Sequence, residues 1–190
     1  IREVLEESEY SADNKGDYTG ALVTRLRSLT TGINGLIFNA DEISMEELFD
    51  TNVIVDLSRI GSTETKSLIM GLLVLKLQEY RMGVSEANQH LKHVTVLEEA
   101  HNLLKRTSSE QSSESGNLLG KSVEMLANSI AEMRTYGEGF IIADQSPGLL
   151  DMSVIRNTNT KIILRLPDYE DRELVGRAAG LNDEQIVELA

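Results

Sequence analysis

Val94-Thr95-Val96-Leu97-Glu98-Glu99-Ala100-His101 is the stretch on which the reading of this chain turns. With His93 before it, it opens as a short run of β-branched and apolar residues, the composition of a buried strand. It then breaks into two adjacent carboxylates. Two charges at the end of a hydrophobic strand are costly unless something uses them. Magnesium is one use, and activating a water is another. Neighbouring strand residues point to opposite faces, so Glu98 and Glu99 cannot do the same job. One can hold a metal-bound water while the other polarises an attacking water. An equally open reading has both acids cap the next helix, where negative charge favours the dipole.

Other runs share the strand composition. Val53-Ile54-Val55-Asp56-Leu57 is one, bounded by turn residues. Gly139-Phe140-Ile141-Ile142-Ala143 is the next, ending in Asp144-Gln145. Thr160–Leu166 is the last, and Gly35-Leu36-Ile37-Phe38 reads as a further short strand. Helical patterns separate them. Glu64–Tyr80 is apolar almost all round from Leu68 to Leu77, which predicts burial on more than one side. Lys121–Tyr136 places Val123, Leu126, Ala127, Ile130 and Met133 on one face. A short helix is expected after Pro147, and Asp168–Ala179 is helical with Gly180 as its stop. Ser44 with Glu47 predicts a short helix over Met45–Phe49, and Asn182 with Gln185 caps a last one. At the front, Ile1 to about Asp13 reads as a charged helix with a solvated face. Asp13–Gly20 reads as a turn, a helical run follows through Leu22, Leu26 and Leu29, and Thr30–Gly35 as loop. Thr107–Asn117 is mostly Ser, Glu and Gln, has nothing to bury, and is expected to be a mobile loop.

Strands alternating with helices indicate an α/β domain with a mainly parallel sheet. Ligands of such sheets sit beyond the carboxyl ends of the strands. The residues to weigh are therefore Asp56–Ser58, Glu98-Glu99, Asp144-Gln145-Ser146 and Arg165. Gln145 directly follows its strand. A neutral amide there can hydrogen-bond both a phosphate oxygen and a water, which suits a γ-phosphate sensor, although an ordinary loop glutamine reads the same way.

Composition bounds the function. The 190 residues fit one domain, since domains run to roughly 100–200 residues. With 41% hydrophobic residues, 4% aromatics and no Trp, aliphatic side chains must fill the core. The 18 Lys and Arg stand against 31 Asp and Glu, a formal net charge of −13. That excludes a compact basic nucleic-acid module. Contact with DNA or RNA would need a local patch, or a pore built by several chains. The absence of Cys excludes disulfides, zinc–thiolate sites and Cys nucleophiles, and allows a reducing compartment. The longest apolar stretch, Leu68–Leu75, falls short of the roughly 20 residues of a spanning helix. The charged opening stretch does not read as a signal peptide, and a cytoplasmic location is expected. Both ends run through helical patterns and the first residue is Ile1, so a piece of a longer protein is expected.

A hydrophobic strand ending in Glu98-Glu99-Ala100-His101, followed by one ending in Asp144-Gln145-Ser146-Pro147, resembles the Walker B and sensor strands of the HerA/FtsK superfamily. That superfamily holds P-loop ATPases of the HerA helicase type and the ATPases of conjugation and type IV secretion. Asn52–Leu57 with Ser58, Arg134-Thr135-Tyr136-Gly137, and Ile155–Leu166 resemble further segments of the family in the same order. The resemblance covers roughly Gly35 to Ala190, after a helical lead-in over 1–34. It implies a RecA-like three-layer sandwich with a mainly parallel sheet, incomplete at its N-terminal side. It implies ATP and Mg2+ as ligands and a homo-oligomeric, hexameric ring that translocates DNA, with a nuclease or secretion protein as a possible partner. Glu98 takes the Walker B position near magnesium, through water. Glu99 is the catalytic glutamate, Gln145 the sensor, and Arg134 the arginine finger acting on a neighbouring subunit's ATP. Such a finger can be worth roughly 10³–10⁵ in rate. Arg134 lies four residues after Ile130, so it is expected on the apolar face of its helix, where a charge needs a partner. Its alternative role is to satisfy helix C-terminal carbonyls. Arg156 and Arg165 are the other candidates.

The phosphate-cradling loop of this class is missing. Gly61-Ser62-Thr63-Glu64-Thr65-Lys66-Ser67 is the nearest match, but it lacks a second Gly, is one residue short, and places Glu64 where a phosphate would sit. In the family the true loop lies upstream of the segment matching Ile1. His90, His93 and His101 do not form a metal set, which needs three or four converging ligands. Three competing readings stay open: a conjugation or secretion ATPase acting on protein or nucleoprotein, a non-catalytic interaction module, and a small-molecule α/β enzyme using Glu99, His101 and Gln145.

Overall fold

The computed structural model describes residues 12–106 and 114–190. The expected helix over Ile1–Asp13 and the expected loop over Thr107–Asn117 therefore lie largely outside the described residues. The chain divides into two units, Ile1–Ser44 and Met45–Ala190.

In the first unit, α1 runs unbroken from Ala12 to Leu29, through the expected turn at Asp13–Gly20. Each glycine inside a helix costs only about 1 kcal/mol relative to Ala, and two are outvoted by the helix formers around them. The expected strand at Gly35–Phe38 is instead part of α2, Gly32–Phe38. A short apolar run does not by itself tell strand from helix. A helix satisfies its own backbone groups, whereas a strand needs a neighbour.

The second unit opens with α3, Met45–Phe49. After it comes α4, Thr63–Val84, whose N-cap Ser62 accepts a hydrogen bond from the Thr65 N–H at 3.3 Å. Ile69, Val74 and Leu77 line its buried side. Leu68, Leu72 and Leu75 stay 39%, 41% and 44% exposed, so the helix is buried on one side and not on several as expected. Then come β1, His93–Glu98, and α5, Glu114–Met133, which takes in residues 114–117 of the expected loop. The strand β2, Glu138–Ala143, follows. It pairs with β1 in parallel, with Thr95 opposite Phe140 and Leu97 opposite Ile142. The chain ends in α6, Met152–Asn157, α7, Tyr169–Ala178, and α8, Asp183–Val187. The cap Asn182 and Gln185 exchange the expected pair of hydrogen bonds, and Gly180 stops α7 at φ +77°.

The architecture is mixed α/β around a two-stranded parallel sheet. One face of that sheet, with Leu97, Phe140 and Ile142, packs on Val74 and Leu77 of α4 and on Ala127, Ile130 and Met133 of α5. The opposite face is bare: Val94, Val96 and Ile141 are 40%, 54% and 54% exposed. The other two expected strands do not join. Residues 53–57 and 160–166 have no ladder partner among the described residues, and Ile54, Ile162 and Leu164 stand exposed. Strand-forming side chains are stable in a strand only when something pairs with and packs on them. A cavity of about 830 Å³ lies between β2 and the extended run, lined by Phe140, Ile142, Ile155 and Ile163 among others.

At the amino ends of the strands sits a buried ionic cluster. Arg81, on the buried side of α4, donates from Nε to Glu138 Oε2 at 2.9 Å. It also donates to Asp50 Oδ1 and to the Phe49 carbonyl oxygen, each at 2.5 Å. The second Glu138 oxygen accepts from Thr95 Oγ1 at 2.7 Å and lies 2.8 Å from His93 Nδ1. Burial pulls Arg81 toward its neutral form, yet the hydrogen bonds to Asp50 and Glu138 outweigh it and hold the pKa above its ordinary value.

Candidate functional site

The site is made by the two turns at the carboxyl ends of β1 and β2. Parallel, adjacent strands deliver both turns to one edge of the sheet. Past Glu98 the chain must turn sharply, because Ala100 is fully buried. Glu99 makes the turn in the left-handed region, at φ 50° and ψ 46°. For a non-glycine residue that costs about 1 kcal/mol or more. The Asn102 N–H and Nδ2 both donate to the Glu99 carbonyl, at 2.9 and 3.0 Å, which closes the short 3-10 turn Ala100–Asn102.

Asp144 joins the two turns. Its side chain is only 2% exposed. Oδ2 accepts the His101 backbone N–H at 2.8 Å and lies 2.9 Å from His101 Nδ1. Oδ1 accepts the Ser146 N–H at 2.9 Å. With both turns held, Gln145 Nε2 donates to Glu99 Oε2 at 2.9 Å. The same Glu99 oxygen is 3.6 Å from His101 Nδ1. The result is a carboxylate that is half-exposed, contacted by an amide and an imidazole, and backed by a buried acid. Such a group can orient a water and accept its proton.

The sequence-derived residues are placed as follows. Glu99, Gln145 and His101 come together. Glu98 is paired with Ala143 in the ladder and is exposed, on the bare face of the sheet with Val94 and Val96. It makes no hydrogen bond to the Glu99 group among the described residues. Arg134 opens the 3-10 turn Arg134–Tyr136 that leads into β2, at the opposite end of that strand from Gln145. Roughly 17 Å of strand separates the two ends, so Arg134 does not reach this chain's own Glu99. It is exposed, and the apolar-face position falls to buried Met133, because α5 gives way to a tighter turn at Arg134. Arg156 and Arg165 are also exposed.

The run Gly61–Ser67 offers no phosphate cradle. At the start of α4, Ser62 Oγ donates to Glu64 Oε2 at 2.6 Å, and that bond holds the Glu64 carboxyl below its ordinary range. A carboxylate already occupies the space a phosphate would take. Asp56 folds onto its own turn, accepting from the Ser58 N–H at 2.8 Å, and that bond lowers its pKa. His93 belongs to the Glu138 cluster. Among the described residues, no group of three or more His, Asp or Glu could hold a metal ion, and no helix is long and apolar enough to cross a membrane.

The roles of three residues, Asp144, Glu138 and Arg81, were not readable from sequence. Asp144 was visible as a polar residue after a strand, but its link to His101 spans 43 positions. Glu138 was readable as an acid between two glycines at a strand start, and Arg81 as a charge on the Val74–Leu77 side of its helix. Comparison of the chain with protein-family models, curated proteins and solved structures found no match.

Proposed function

We propose that the chain is the hydrolysis half of an ATP-driven ring motor of the HerA/FtsK kind, with a RecA-like three-layer sandwich as its complete fold and DNA as the translocated polymer. The observation that carries this reading is the Gln145–Glu99 hydrogen bond between the turns of two adjacent parallel strands. In this reading Glu99 takes the proton of a water whose oxygen attacks the γ-phosphorus, the P–O bond to the leaving ADP breaks, and Gln145 reports the γ-phosphate. Glu98 suits a role toward Mg2+ through water, which asks for a single exposed carboxylate and no closed ligand set. The ion would supply charge neutralisation on the phosphates. Arg134 is assigned to a neighbouring subunit's site, in keeping with its distance from this chain's Glu99. The bare face carrying Val94, Val96 and Ile141, and the cavity beside β2, support a wider sheet with a second layer. A hexameric ring and a cytoplasmic setting belong to the same proposal, as does the variant in which the motor serves conjugation or secretion.

A second reading has its own support. Glu99, His101 and Gln145 converge without a phosphate cradle beside them among the described residues, which is the arrangement of a small-molecule hydrolytic site. One experiment separates the two. In the full-length protein, Glu99→Gln should leave ATP binding intact and abolish turnover. Full ATP turnover in that variant would remove Glu99 from the role. Absence of ATP binding by the unaltered protein would favour the second reading.

A further inference from the structure

We infer that Asp144 and His101 form a clamp that positions Glu99 for proton transfer, with Asp144 acting through the imidazole. The inference rests on Glu99 being the base that activates water. Left alone, an exposed glutamate in the left-handed region would relax toward an ordinary conformation, because nothing in its own side chain favours that backbone. Three hydrogen bonds to one buried carboxylate oppose that relaxation. The His101 N–H bond to Asp144 fixes the turn that begins at Glu99. The Ser146 N–H bond fixes the turn that carries Gln145. The Nδ1 contact fixes the imidazole plane.

The hydrogen-bond pattern of the ring follows from its neighbours. His101 Nδ1 faces Asp144 Oδ2 at 2.9 Å and Glu99 Oε2 at 3.6 Å. The Asp144 carboxylate only accepts, so Nδ1 carries the hydrogen in that bond, while Glu99 Oε2 at 3.6 Å lies beyond hydrogen-bond reach. The near acid is buried and the far one half-exposed. Asp144 therefore holds the ring, and the ring so held stands beside the Glu99 carboxylate. The Glu99 carboxylate is then held by the hydrogen bond from the Gln145 amide, with the fixed His101 ring as its neighbour. Neither Asp144 nor His101 needs to touch substrate. They are positioning residues.

The test uses a signal that does not require turnover. In the 15N-labelled 190-residue chain, the Gln145 side-chain amide reports its bond to Glu99. Its two protons should be widely split, and should collapse toward the free-amide pattern in Asp144→Asn and in His101→Ala. His101→Asn keeps a donor near the Nδ1 position and should restore the split. His101 is partly exposed and Asp144→Asn is isosteric; should the latter unfold, His101→Ala carries the test. In the full-length protein the two collapsing variants should lose about 10–100-fold in kcat with KM for ATP unchanged, the size expected of a base misplaced by about 1 Å. His101→Asn should recover most of that loss. An unchanged Gln145 signal in His101→Ala overturns the clamp, as does a rise in KM with kcat retained. If the unaltered full-length protein shows no Glu99-dependent ATP hydrolysis, the motor reading fails, and the clamp still stands or falls on the Gln145 signal.

Discussion

Arg81 Nε and Glu138 Oε2 lie 2.9 Å apart, both side chains almost wholly out of solvent, and their bond ties α4 to the first residue of β2. An isolated charge at either position would be strongly disfavoured. Removing one partner strands the other: Glu138→Ala should destabilise the chain by about 3 kcal/mol, at the low end for a broken buried pair because Asp50 still faces Arg81. Arg81→Met together with Glu138→Leu should cost less than the single Glu138→Ala change. Urea unfolding of the three variants checks this, and equal losses for single and double variants would contradict it.

Asp50 gives the cluster a pH dependence. Hydrogen bonds from Arg81 first and Tyr80 second hold its carboxyl below the ordinary range. A folded-state pKa below the unfolded one means stability that is present in full above about pH 4 and is lost as pH falls through the folded value. The urea midpoint should therefore fall below pH 4, and fall less in Asp50→Asn. The side chain is 41% exposed, so solvent screening keeps the effect small. An identical acid limb in the variant would assign the loss to other carboxylates.

Glu99→Gly should stabilise the chain by about 1 kcal/mol, because glycine adopts φ 50° without the steric cost. The same change should abolish hydrolysis in the full-length protein. Thermal melts and an ATPase assay read the two effects separately. A lower melting temperature would show that the Gln145 and His101 contacts outweigh the backbone cost.

Arg134→Ala should lower turnover in the assembled protein. On the proposed ring-motor reading, mixing it with Glu99→Gln subunits should restore part of the activity, since an interface with Glu99 from one subunit and Arg134 from the other would remain intact. Mixed assemblies no more active than either variant alone would refute action between subunits.

Ile162 is 88% exposed and Leu164 is 79% exposed. Replacing either by Ser in the 190-residue chain should change stability by less than about 0.5 kcal/mol, as for surface positions in general. A loss of several times that size would mean that these side chains are packed.

The parts of the fold legible from sequence are those whose signal is local. The face shared by Val123, Ala127, Ile130 and Met133 announces α5, and the β-branched run ending in Glu98 announces β1. Residues 53–57 and 160–166 carry the same strand signal, yet have no strand partner among the described residues. Side-chain composition records what a segment is suited to, while pairing depends on what lies beside it. Gly35–Phe38 shows the converse: with no neighbour to pair, its apolar residues fold as α2. At the site, position relative to strand ends put Glu99 and Gln145 among the residues to weigh, and the family resemblance gave them their roles. The role of Asp144 was not, because it depends on which backbone N–H groups the turns present to it, and those come from residues on two different elements.

The outer edge of β2 has no strand beside it among the described residues. Such an edge is a template on which another molecule can build. With a net charge of −13, copies of this chain repel one another, which opposes such pairing. The reach of that repulsion shrinks from about 30 Å at 0.01 M salt to about 3 Å at 1 M. Ionic strength is thus expected to set how often edges meet, and light scattering that stays flat from 0.01 to 1 M salt would show that charge is not what keeps them apart.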